Sequence, residues 1–152
     1  MNCRRLERIR IPEKVTELRG NTFEGCVSLR SVDLPESIVE IHGECFVNCK
    51  KLQEIELPSA ITEIKGNTFE GCSSLRSVVI PEGVTRIGGH AFYGCSSLCY
   101  VKVPATVETI GSSAFRKCDS LSSIELPEGI SINERAFKES PTSITYYEHE
   151  IK

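Results

Sequence analysis

At 152 residues, with 39% hydrophobic and 26% charged side chains, the chain has ordinary globular composition and room for a sizeable core. Its formal net charge of −3 and pI near 5.7 give no basis for nucleic acid or an anionic membrane surface as partner. No apolar run approaches the roughly 18–20 residues that span a bilayer, so no membrane insertion is expected.

Met1-Asn2-Cys3-Arg4-Arg5 lacks the apolar stretch of a signal peptide. From Leu6 a unit begins that restarts at Leu29, Leu52, Leu75, Leu98 and Leu121, each start 23 residues after the last. Internal repetition at such a period signals a solenoid. Pro12, Pro35, Pro58, Pro81, Pro104 and Pro127 keep the interval, as do Phe23, Phe46, Phe69, Phe92 and Phe115. Phe137 arrives one residue early because the sixth unit is shortened between Ile130 and Ile132.

Within each unit, Leu-x-x-Ile/Val-x-Leu/Ile-Pro predicts a short strand with its apolar residues on one face. The proline has no N–H to donate and fits where the chain leaves the sheet. Val/Ile-Thr-x-Ile predicts a second, shorter extended segment. Gly20, Gly43, Gly66 and Gly89 then mark a place where positive φ would cost little. Ala/Thr-Phe-x-Gly-Cys is too short for a stable helix and predicts a turn or 3₁₀ element. Ile144 to Glu150 predicts a partial final strand covering the last coil, within a capping segment 138–152. No unit buries its own apolar face, so units must stack about 4.8 Å apart, six of them making a rod about 30 Å long. The phenylalanines then pile on one another as core.

Cys3, Cys26, Cys49, Cys72, Cys95 and Cys118 share one slot. In-register Cβ atoms near 4.8 Å apart exceed the roughly 3.5–4.5 Å a disulfide requires, which predicts buried free thiols. Cys45 takes the slot of Ala91 and Ala114, a core substitution, while Cys99 falls on the outward face of the strand. Cys45–Cys49 and Cys95–Cys99 have the spacing of metal-ligand pairs, but the repeat supplies no third or fourth ligand, so no metal or cofactor is predicted.

The unit L-x-x-I-x-L-P-x-x-V-T-x-I-G-x-x-A-F-x-G-C-x-S closely resembles the BspA-type (Treponema-pallidum-type) leucine-rich repeat, from Cys3 to Phe137. The resemblance implies a right-handed leucine-rich-repeat solenoid of parallel strands and short turns or 3₁₀ segments, about six coils in a single domain. It also implies an extracellular or cell-surface protein of host-associated microbes that adheres to host proteins. Cys3 is already in phase, so the chain is expected to begin inside the array as a segment of a longer protein, with an open first edge suited to end-to-end self-association. The missing signal and the reduced thiols fit the alternative of a cytoplasmic scaffold. A structural spacer presenting a neighbouring domain is the other alternative.

Catalysis is not expected. His42 and His90 occupy different slots, His149 lies in the tail, and the repeat places neither of the first two beside a nucleophile and a carboxylate. The serines, as in Ser73-Ser74 and Ser96-Ser97, sit in turns where local hydrogen bonding accounts for them. Glu13, Glu36, Glu82 and Glu128 form an acidic, solvated edge.

Binding should use the positions that the repeat leaves free. The second, third and fifth strand slots face solvent, and around coils four and five they gather Arg76, Val79, Cys99, Tyr100 and Lys102. Arginine and aromatic residues on a rigid face are what protein-binding hot spots use. Down the fifth slot, Arg10–Asp33 and Lys102–Glu125 are favourable neighbours and Asp33–Glu56 is repulsive. A second candidate lies on the turn side, where Val47, Tyr93 and Arg116 share a slot near His90.

Overall fold

The computed structural model describes residues 3–148. The chain winds as a parallel solenoid of about six turns, and no described residue is helical. One side carries strands that begin just after the leading leucines: β1 (Arg8–Arg10), β3 (Ser31–Asp33), β6 (Ser77–Val79), β8 (Tyr100–Lys102) and β10 (Ser123–Pro127). A second side carries two-residue strands: β2 (Glu17–Leu18), β4 (Glu40–Ile41), β5 (Glu63–Ile64), β7 (Arg86–Ile87), β9 (Thr109–Ile110) and β11 (Ser131–Ile132). Each short strand turns one aliphatic residue inward, as period-two alternation requires. Register follows the repeat, with Arg8 opposite Ser31 and Arg86 opposite Thr109.

The third side is made of turns, and here the coils are fastened most continuously. The rings of Phe23, Phe46, Phe69, Phe92, Phe115 and Phe137 stack in an unbroken column with centroids 5.2–5.4 Å apart. The N–H of Phe23 donates to the Cys45 carbonyl, that of Phe46 to Thr68, Phe69 to Ala91, Phe92 to Ala114 and Phe115 to Ala136, at 2.8–2.9 Å. The carbonyls of Phe23, Phe46, Phe69 and Phe92 each accept the N–H of the cysteine three residues on, as in Cys26 to Phe23, whereas the Cys118 N–H donates to the Ser140 hydroxyl. These four carbonyls also accept a thiol from the next coil: Cys49 Sγ to Phe23, Cys72 to Phe46, Cys95 to Phe69 and Cys118 to Phe92, each 3.2 Å. In the shortened sixth coil, which has no cysteine, the Ser140 hydroxyl donates to the Phe115 carbonyl instead. The cysteine slot is therefore a small apolar group that also donates to a carbonyl with one lone pair to spare. Cys45 is fully buried in the alanine slot, and Cys99 is exposed on the strand face, as their positions in the repeat predict, but Cys3, expected to be buried with the rest of its slot, is exposed.

The Ala/Thr-Phe-x-Gly-Cys segments form overlapping turns, one of the two forms expected, with left-handed residues at Asn21 and Gly25, and at Asn67 and Gly71. Two expectations are corrected. Positive φ falls one residue after the glycine slot, at Asn21, Glu44, Asn67, His90 and Ser113. Glycine is needed for close approach: a Cβ on Gly43 would lie 2.7 Å from the Gly66 carbonyl oxygen. The turn serines bond across coils, with Ser120 Oγ donating to the Ser96 carbonyl at 2.7 Å.

The strand side is less continuous than stacking alone predicts. β1 pairs with β3, β6 with β8 and β10 with β12 (Ser143–Tyr147), but these pairs are not joined to one another. Residues 54–56 of the third coil form no strand. Asp33 and Glu56 fall side by side there, and facing like charges weaken a strand pair. β12 is parallel to β10 with Ser123 opposite Ser143. The Tyr147 hydroxyl reaches back two coils to donate to the Val103 carbonyl at 2.6 Å. β10 runs through Pro127, past the point where proline was expected to end the strand, because β12 lies beside it.

Truncating an inner member of the column, Phe69→Ala, is expected to cost about 3–5 kcal/mol in chemical denaturation; a cost under about 1 kcal/mol would show that the stack is not a principal support. Burial pushes the thiols of Cys45, Cys49 and Cys118 up to about 12 and raises those of Cys72 and Cys95. In the native protein only Cys3 and Cys99 should react with a thiol reagent, and all eight in denaturant. The unfolded chain releases these protons first. This contribution to stability is therefore complete below pH about 9 and declines as pH rises toward about 12, which alkaline unfolding curves would register.

Candidate functional site

The free surface of the strand side is shaped by its breaks. Across coils one to four it forms an open groove of about 1090 Å³ lined by strand-face residues including Arg8, Arg10, Asp33, Glu54, Glu56 and Val79. The amides of residues 54–57 in its floor make no hydrogen bond among the described residues. Arg10 meets Asp33 at 3.7 Å, the favourable neighbour pair expected from sequence. Glu54 and Glu56 have no cationic partner among the described residues, so the middle of the groove is acidic. Glu36 on its rim accepts the N–H and hydroxyl of Ser59, at 3.1 and 2.7 Å, which hold its carboxyl below the usual range.

A second, smaller hollow of about 650 Å³ lies between β8 and β10, lined by Cys99, Tyr100, Lys102, Glu125 and Tyr147. Lys102 and Glu125 form no ion pair here, because β8 and β10 are not hydrogen-bonded neighbours. Arg76, Val79, Cys99, Tyr100 and Lys102 are all exposed, on two adjacent chain segments in direct register. Val79 stands opposite Lys102, and Cys99 donates both its N–H and its thiol to the Arg76 carbonyl. Val79 and Tyr100, 56% and 53% exposed, are large apolar groups held in water by the strand alternation. Val79 lines one hollow and Cys99, Tyr100 and Lys102 line the other, so their two segments make a ridge between the hollows. Arg76, exposed at the start of the first segment, lines neither.

On the turn side, the second candidate is assembled around Tyr93. Its ring has His90 at 5.4 Å, the Arg116 guanidinium at 5.8 Å and the Lys117 ammonium at 5.9 Å, within reach of cation–π attraction. Arg116 is held by Glu139 at 2.7 Å, which depresses the Glu139 carboxyl. Val47 is half-buried in the same slot, two coils before Tyr93. His149 lies outside the described residues.

Cys95 and Cys99 do not converge as ligands. Cys95 is in the core, and Cys99 is four residues away on the outer face. His42, by contrast, has company that the repeat positions foretell but the chemistry of its own coil does not. Its Nε2 lies 3.5 Å from Glu17 and 3.6 Å from Glu40. Glu17 and Glu40 share one slot, and Arg19, His42 and Lys65 share the slot two residues on. Reading those two columns together is the signal that finds the cluster.

Stacked 23-residue coils, inward leucines and an aromatic column define a leucine-rich-repeat solenoid. The sequence profile of the BspA type leucine rich repeat region matches residues 1–99 and 62–151, in six copies. The chain belongs to this family. Among solved structures it is similar to a leucine rich cell surface protein from Faecalibacterium prausnitzii A2-165, at 35% identity over 91% of this chain and 31% of that one, TM-score 0.72. It is also similar to the leucine rich repeat protein of T. pallidum, at 30% identity over 93% of this chain and 73% of that one, TM-score 0.75. A leucine-rich repeat protein from Bacteroides ovatus ATCC 8483 matches at 29% identity over 93% of this chain and 45% of that one, TM-score 0.69. No curated protein sequence matches the chain. The chain thus spans about a third of the length of the F. prausnitzii protein. Proteins of this repeat class are generally interaction modules and generally not enzymes.

Proposed function

We propose that the chain is a non-enzymatic protein-binding module of a cell-surface or secreted adhesin, and that it engages a host matrix or surface protein through its strand side. The observation that carries this reading is the ridge of Arg76, Val79, Cys99, Tyr100 and Lys102 between two hollows. It joins exposed apolar, aromatic and cationic groups on a backbone that the core holds rigid, so little ordering entropy is lost on binding. The similarity to a cell-surface protein of F. prausnitzii supports the location. The acidic middle of the neighbouring groove favours a partner that presents basic side chains beside an apolar one.

The test is a binding screen of the purified protein against matrix and epithelial surface proteins, beside a Tyr100→Ala/Arg76→Ala double variant of unchanged thermal stability. Saturable binding weakened at least tenfold in the variant is the expected result. Binding that ignores both substitutions would move the site off the ridge, with the Tyr93 cluster next in line. Absence of any saturable partner would overturn the adhesin reading and favour a spacer.

A further inference from the structure

We propose that Glu17, Glu40 and His42 form a surface site for a divalent transition-metal ion of the zinc class, clipping the first coil to the second. The three residues come from β2 and from β4 with the residue that follows it, and they present one donor atom each, all within 4.8 Å of one another. His42 Nε2 stands 3.5 Å from Glu17 Oε2 and 3.6 Å from Glu40 Oε2. Metal–nitrogen and metal–oxygen bonds of about 2.0–2.2 Å in a tetrahedral site set neighbouring donors about 3.3–3.6 Å apart, so these need to move little to share an ion.

The outer oxygens of the two carboxylates are already engaged, which is why the inner ones converge. Arg19 Nε lies 3.6 Å from Glu17 Oε1, and Lys65 donates to Glu40 Oε1. Holding ligands from behind in this way is how outer partners orient metal-binding side chains. Glu17 and Glu40 are direct register partners in the short-strand sheet, so two carboxylates face each other across a strand pair. A divalent ion between them replaces that repulsion with two bonds, and the imidazole selects a zinc-class ion over calcium or magnesium. The cluster is part-exposed, leaving the fourth position to water. Its strand pair, β2 with β4, is not joined to the four-stranded sheet of β5, β7, β9 and β11.

The test uses zinc chloride with the full chain carrying Cys3→Ser and Cys99→Ser, so that exposed thiols cannot bind the metal. Calorimetry should show one equivalent bound, and the thermal midpoint should rise with zinc but not with magnesium. His42→Ala and Glu40→Gln should each weaken binding at least tenfold and remove the thermal shift. Zinc binding at full strength in the His42→Ala variant, or no stoichiometric binding to the parent, would overturn the site.

Discussion

Phe23, Phe46, Phe69 and Phe92 are each bound to the next coil in three ways at once. The ring lies on the next ring, the N–H donates to a carbonyl of the next coil, and the carbonyl accepts that coil's thiol. Stacked aromatic pairs contribute about 0.5–1.5 kcal/mol beyond their buried area. Buried backbone groups left unpaired would each cost about 1–3 kcal/mol. The two requirements fall on the same residue, so coil height and register are set at the turns. A cysteine suits the slot because it fits a fully buried space yet still donates, and Ser140 shows that any small donor meets the need.

With the coils held at the turns, the strand side is released from the duty of being a continuous sheet. The third coil carries Glu54 and Glu56 beside Asp33 and makes no strand on this side, and β8 and β10 lie together without pairing to one another. A fold that relied on its main strands would be weakened by such breaks. Here they become two hollows on either side of a ridge whose side chains the repeat does not prescribe. Rigidity from the turns and variety on the strands is a division of labour suited to recognition.

Much of this was legible in the sequence because stacking makes equal slots into neighbours. The column of phenylalanines, the buried thiols of Cys26, Cys49, Cys72, Cys95 and Cys118, the core role of Cys45, the exposure of Cys99 and Tyr100, and the Arg10–Asp33 pair all follow from counting by 23, whereas Cys3 of the same slot is exposed. What escaped depends on contacts that a single slot does not describe. The glycine requirement at Gly43 is set by the approach of the Gly66 carbonyl, not by its own φ. The break at residues 54–56 falls where three carboxylates of two coils, Asp33, Glu54 and Glu56, gather. The Glu17–Glu40–His42 cluster combines two slots, one of which changes from arginine to histidine to lysine along the array. The reach of Tyr147 to Val103 spans two coils in a segment outside the repeat.

Amide hydrogen exchange measures the central claim directly, because it reports the local cost of opening each hydrogen bond. The amides of Phe46, Phe69 and Phe92 should exchange at the slowest, globally limited rate, and those of residues 54–57 should exchange fast in the same native protein. Fast exchange at the phenylalanines with strong protection at 54–57 would contradict it, and would make the strand side the true support of the solenoid.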